Sequence, residues 1–301
     1  MRNLFTFGCS HTNHCYPTWA NILGEQFENH YNFGRGGSGP FYSFSQIINI
    51  IQNKEQWNIR EDDYFVWLVT EENRQDFVMY ERHNMGYAEH ILSDEGQKFT
   101  IQTDNWYNNS DNWWTKDYLK NIAPMDGLLK THMYIYTIKE LLEKNHIKHK
   151  IILALDGLTY LQHDGFDKYY NDIKKIIGEF TSLQSISSLN SKELTNMKNS
   201  GMDISIEDEM HYHFLEQEDS PILVKDGHWQ IPIHIEFLRK NFHWFKGVRI
   251  NQFLEIHEKC KTKKYTANQI YKALLERDIK MDSYCYLPNG TITPWPLTKN
   301  K

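Results

Sequence analysis

Residues 4–19 read LFTFGCSHTNHCYPTW. The apolar run of Leu4, Phe5 and Phe7 stops at Gly8, and Cys9, Ser10, His11, Thr12 and His14 follow, all side chains that donate, accept or ligate. Three chemistries compete for such a stretch: a metal site, a redox pair, or a nucleophile displayed at the end of a strand. The apolar run predicts a short buried strand over 3–7. In PTWANILGEQF (17–27), Trp19, Ile22, Leu23 and Phe27 recur at helical spacing, which predicts a helix close behind the strand.

Moving outward, the same alternation repeats. NHYNFGRGGSGP (29–40) reads as a second strand ending in a glycine-rich loop. FYSFSQIINIIQNK (41–54) reads as a helix with Ile47, Ile48 and Ile51 on one face, and DYFVWLVT (63–70) as a buried strand. Residues 80–125 lose periodicity and become rich in Asn, Asp, Trp and Tyr, as expected of a long insertion or lid. A helix over 128–147, a strand over 148–156 and a helix over 166–180 come next. The polar stretch 181–220 reads as irregular, and DGHWQIPIHIEFLRKNF (226–242) as a turn that becomes a helix. The tail from about 250 offers one more helix (266–279) and then a Pro-rich end, and no internal repeat is visible. Strands alternating with helices imply an α/β fold, a parallel sheet with helices on both faces. In such sheets ligands sit beyond the carboxyl ends of the strands. Ser10, the glycines after the second strand, and Thr70 to Arg74 after the third all fall there.

Bulk properties narrow the function classes. The 301 residues are 40% hydrophobic and 14% aromatic, enough for a substantial core. A net charge of −6 argues against a nucleic-acid binder that relies on phosphate neutralisation. The longest basic run, KCKTKK (259–264), reads as solvated surface. No stretch approaches the roughly 20 apolar residues of a membrane span. No apolar signal region precedes the first strand, so synthesis in the cytoplasm without a signal peptide is expected. Four cysteines in two distant pairs are too few for a disulfide framework.

For Cys9, His11, His14 and Cys15, zinc spacing is missing, because a single residue separates Cys9 from His11 and no second knuckle exists. Cys9 and Cys15 lack the C-x-x-C spacing of a redox pair. No cofactor or metal is expected. Ser10 differs, since a hydroxyl between a buried strand and a helix lies where free backbone N–H groups stabilise an anion. On its own, though, the position is as well explained by an N-cap or turn serine.

Three blocks in order add a resemblance. FTFGCSHT…TWANIL is similar to the first block of the SGNH (GDSL-like) hydrolases, nearest the branch with GCS-x-T; NFGRGGSG resembles the second block and DGHW the last. The likeness spans residues 3 to about 242. It implies a three-layer α/β/α, flavodoxin-like fold over 1–248, with a C-terminal helical extension over 249–301. By motif, it implies Ser10 as nucleophile and one oxyanion N–H donor, Gly37 as a second donor with Gly36 its nearest competitor, His228 as general base and Asp226 as orienting acid. Two features depart from the pattern. Acid and base are spaced D-x-H rather than D-x-x-H, which leaves Asp219 as an alternative acid. The third block reads VTEENRQDF, with Thr70 at the glycine position and Asn73 one residue late, which leaves three alternatives: Asn73 supplies the oxyanion amide, Arg74 takes over the task, or the hole is weakened.

The implied activity is hydrolysis of an acyl ester, acetyl among the candidates, through an acyl-serine. The substrate is a small-molecule or glycan ester. Trp106, Tyr107, Trp113 and Trp114 suit stacking on sugar rings, and equally suit packing of the insertion against the body. Two alternatives stay open: an acyl transferase using the same serine, and a catalytically impaired binding or structural protein on this scaffold, such as a phage particle component.

Overall fold

The computed structural model describes residues 2–14, 17–36, 38–70, 75–79, 89–91, 100–104, 124–153, 210–215, 222–263, 272–279, 283–286 and 292–295. In chain order its first elements are β1 (Asn3–Phe7), α1 (Trp19–Gly24), β2 (Asn29–Asn32), α2 (Pro40–Gln52) and β3 (Tyr64–Val69). Then come β4 (Gln75–Met79), β5 (Glu89–Ile91), β6 (Thr100–Asp104), α3 (Pro124–Lys144) and β7 (Lys148–Leu153). The remainder are β8 (Met210–Leu215), β9 (Ile222–Trp229), α4 (Ile231–Asn241), α5 (Ile250–Lys263), β10 (Ser283–Tyr286) and β11 (Ile292–Trp295).

The α/β class expected from the alternation is present. Four strands run parallel in the order β2-β1-β3-β7. On the far side of β2, β10 joins in parallel through Ser283 opposite Asn32, and β11 pairs antiparallel with β10. Alternation along each strand divides the core, because successive side chains leave opposite faces of a sheet. Leu4, Val66, Leu68 and Ile152 pack with Trp19, Ile22 and Leu23 of α1, Ile235, Phe237 and Leu238 of α4, and Phe253 and Ile256 of α5. Phe5, Phe7, Phe65, Trp67, Val69 and Ile151 pack with Ile47, Ile50 and Ile51 of α2 and with Ile135, Ile138 and Leu142 of α3. In α2 it is thus Ile50 that is fully buried, while Ile48 is only partly covered.

Aromatic rings bind the strands side to side. Phe5 stacks on Phe65 at 4.6 Å and on Tyr31 at 5.0 Å, and Phe7 stacks on Phe33 at 5.4 Å. Such contacts add about 0.5–1.5 kcal/mol each beyond the area they bury. At the amino end of the sheet, the buried Asp63 carboxylate accepts bonds from the Asn3 N–H (2.7 Å), Asn3 Nδ2 (3.1 Å) and the Arg60 N–H (3.0 Å), tying β3 to β1. The Lys150 ammonium donates to the Asn241 carbonyl and lies 5.2 Å from the centre of the Phe242 ring, pinning the carboxyl end of α4 to β7.

Several expectations need correction. Residues 80–125 are not uniformly irregular, because β5 and β6 lie there, and β6 pairs antiparallel with both β4 and β5 in the order β4-β6-β5. Trp106, Tyr107, Trp113 and Trp114 lie outside the described residues, as does the helix expected over 166–180. Within 181–220, residues 210–215 form a strand, antiparallel to β9. The expected turn at Asp226-Gly227 is instead part of β9, which extends to Trp229. The tail is not only helical. It holds α5, which the sequence reading passed over, and the strands β10 and β11, while helix appears at 272–275 within the expected span.

Two outcomes follow for stability. Asp63→Ala leaves buried N–H donors unmatched, and denaturant unfolding should show a loss of about 3 kcal/mol; Asp63→Asn should lose roughly half as much. His30, whose ring contacts Thr6 Oγ1 through Nε2 at 2.9 Å, is held by burial at about 3, well below the usual 6.5 of an imidazole. The folded ring thus stays neutral where the unfolded ring is already charged. Its stabilising effect is complete above pH 6.5 and fades as pH falls toward about 3. Urea midpoints at pH 7 and pH 4 should differ less in His30→Asn than in wild type, and equal differences would refute this linkage.

Candidate functional site

The site begins with Gly8, which ends β1 at φ +148°. A Cβ at this position would lie 2.2 Å from Thr12 Oγ1 and 2.8 Å from the Leu68 carbonyl oxygen of β3. Only glycine lets the chain turn here so close to its neighbour strand. Beyond it the chain folds tightly, with the N–H groups of Thr12 and Asn13 both donating to the Cys9 carbonyl at 2.9 and 3.1 Å. Ser10 sits in this turn, past the carboxyl end of β1, with 9% of its surface exposed. Cys9 beside it is a buried free thiol, and Cys15 lies outside the described residues.

The loop after β2 interlocks with this turn. Asn32 Nδ2 donates to the Thr12 carbonyl at 3.0 Å, while its Oδ1 accepts from the Gly34 N–H at 2.9 Å. Asn13 Nδ2 donates to the Gly34 carbonyl at 2.8 Å, and Thr18 Oγ1 donates to the Thr12 carbonyl at 2.6 Å. The Gly8 carbonyl accepts twice, from the Arg35 N–H at 2.8 Å and from Ser38 Oγ at 3.2 Å. At Gly34 a Cβ would lie 2.7 Å from Thr12 Cβ, so the two loops touch backbone to side chain. A Cβ on Gly36 would lie 3.8 Å from Ser10 Cβ, an ordinary contact, which puts Gly36 directly beside the serine.

Strand β4 supplies one further tie. Asp76, at the start of β4, accepts from the Gly39 N–H at 2.8 Å through Oδ1 and from the Tyr42 N–H at 2.7 Å through Oδ2. These are N–H groups of the first turn of α2, which the helix itself leaves unmatched. Thr70, which stands where the family pattern has glycine, is buried at the carboxyl end of β3.

Of the expected site residues, Ser10 and its competitor-donor neighbour Gly36 are thus brought together. Gly37, Asn73, Arg74 and Asp219 lie outside the described residues. Asp226 and His228 belong to β9 by their backbone; their side chains lie outside the description. Asp226 pairs with His211 and Trp229 with Met210, so Gly227 and His228 are extra residues between consecutive pairs. The pairing register therefore shifts by two residues at this point. Three positions after His228 the chain enters α4, whose Phe237 ring lies 5.7 Å from the Trp19 ring of α1.

Sequence reasoning missed the ties made by Asn13, Ser38 and Asp76. Asn32 had a visible signal, as the last polar residue before a glycine-rich loop. Asp76 had none, since nothing local marks an acid as the cap of a helix more than thirty residues earlier in the chain. Compared with protein-family models, with curated proteins and with solved structures, the chain matches none.

The two glycines beside Ser10 should respond differently to substitution. Gly8→Ala combines a left-handed φ with a backbone collision and should cost about 3 kcal/mol or more by denaturant unfolding. Gly36→Ala meets only Ser10 Cβ and should unfold within about 0.5 kcal/mol of wild type.

Proposed function

We propose that the chain is a serine ester hydrolase of the SGNH type, with Ser10 as nucleophile. One observation supports this most: the serine turn and the glycine loop after the neighbouring strand are hydrogen-bonded into one unit, with Gly36 against Ser10. This is the relation the first and second blocks need if backbone N–H groups from both loops are to meet one oxygen. The strand order β2-β1-β3-β7 agrees with a flavodoxin-like arrangement. The two core clusters on opposite faces of the sheet favour the three-layer form.

In this reading His228 accepts the Ser10 hydroxyl proton as the oxygen attacks the ester carbonyl. Imidazole suits the task because its ordinary pKa lies near 6.5. Asp226 orients the ring. The carbonyl oxygen gains negative charge, which the N–H groups of Ser10 and Gly37 (or Gly36) and the Asn73 amide or Arg74 stabilise. One donor of this kind is worth about 3 kcal/mol in the transition state. The tetrahedral adduct collapses, the C–O bond to the alcohol breaks, and His228 returns its proton to the leaving alkoxide. Water, deprotonated by the same ring, then cleaves the acyl-serine and restores the hydroxyl. The substrate class is an acyl ester, acetylated glycans included.

A fluorophosphonate probe tests this directly. The expected result is stoichiometric labelling at Ser10, absent in Ser10→Ala and slowed at least about a hundredfold in His228→Ala. Folded wild-type protein that never labels would refute the reading and favour a binding protein on the same scaffold. Product analysis with an added sugar acceptor separates transfer from hydrolysis.

A further inference from the structure

The loop between β2 and α2 holds Gly34, Gly36, Gly37 and Gly39. So many glycines make its shape entropically costly to hold. At one end it is fastened by Asn32 and Asn13, and Ser38 Oγ bridges the Arg35 carbonyl at 2.8 Å and the Gly8 carbonyl. At the other end the loop runs into α2. Gly39 is the N-cap of α2 and has no side chain to offer, and Pro40 follows it. A serine or aspartate at position 39 would cap the helix from within. Here the cap comes from another element altogether, since the Asp76 carboxylate receives the Gly39 and Tyr42 N–H groups, one on each oxygen. Both bonds are short and charge-assisted, and the carboxylate faces the positive end of the α2 dipole.

Asp76 is also a residue of β4, paired opposite Thr103 of β6 in the antiparallel sheet. A continuous path therefore runs from that sheet through Asp76 to Gly39, then through Ser38 to the Gly8 carbonyl at the root of the Ser10 turn. We infer that Asp76 is a positioning residue, which uses the placement of the β4-β6-β5 sheet to set the glycine loop beside Ser10. As a claim about catalysis this rests on the hydrolase reading above; as a claim about the loop it does not. Asp76 touches no reacting atom in this scheme. It acts by fixing where the loop's N–H donors stand, so its loss should lower the rate of the chemical step more than substrate binding.

The test compares wild type with Asp76→Asn, Asp76→Ala and Asp76→Glu, using p-nitrophenyl acetate hydrolysis and amide hydrogen exchange of residues 38–42. Expected in Asp76→Asn are a kcat at least about tenfold lower with KM within about twofold, and exchange at least about tenfold faster, with unfolding still a single cooperative transition. Asp76→Glu, which keeps the charge, should recover at least about threefold of the kcat lost in Asp76→Ala. A kcat for Asp76→Asn within about twofold of wild type, or exchange that does not change, overturns the proposal. If wild type neither labels with fluorophosphonate nor hydrolyses the ester, the hydrolase reading fails by itself. The exchange arm then decides whether Asp76 holds the loop, faster exchange supporting it and unchanged exchange refuting it.

Discussion

The carbonyl of Gly8 is the point on which the described site depends. A strand that ends inside a protein leaves backbone groups that must find partners, since an unmatched buried carbonyl is costly. Here the next strand's loop satisfies it twice, through the Arg35 N–H and Ser38 Oγ. Two loops from parallel neighbours are thereby forced into one conformation, and the glycines at 8 and 34 are what allow them to come so close. Ser10 is held within that junction and does not hang from a free loop. The requirement is backbone accounting first; any chemistry at the serine uses a geometry already imposed by it.

The central sheet was readable because its strands are apolar against polar flanks. Leu4 to Phe7 and Phe65 to Val69 have no other economical reading than buried strand, and the helices behind them repeat Ile and Leu at helical spacing. Where contrast was weaker the reading failed. TIQTD and MHYHFL mix apolar and polar residues over five or six positions, too few to establish a period, and their pairing depends on partners distant in the chain. INQFLEIHEKCKTK does carry buried Phe253 and Ile256, with Ile250 partly covered beside them, but its basic end suggested solvated surface. At Asp226-Gly227 the usual turn preference lost to a strand whose pairing tolerates glycine where the register shifts.

The candidate site was legible in a similar way. Ser10 was found through its position after a strand, and the glycine loop through its composition. The bonds that join them were not, because Asn13, Ser38 and Asp76 act through side-chain contacts that local sequence does not encode. Asp76 is the clearest case, since a cap supplied across more than thirty residues obeys the same physics as a local one but leaves no local signature.

The pairing of Ser283 with Asn32 has a consequence for how this protein is made. Strand β2 leaves the ribosome some 250 residues before the neighbour that covers its outer edge. Until then that edge is a bare row of amide and carbonyl groups, the kind of surface on which two nascent chains can pair with each other. The polar, partly exposed composition of NHYN then gains a second meaning: a short strand with little apolar surface is a poor template for such mispairing while it waits for β10.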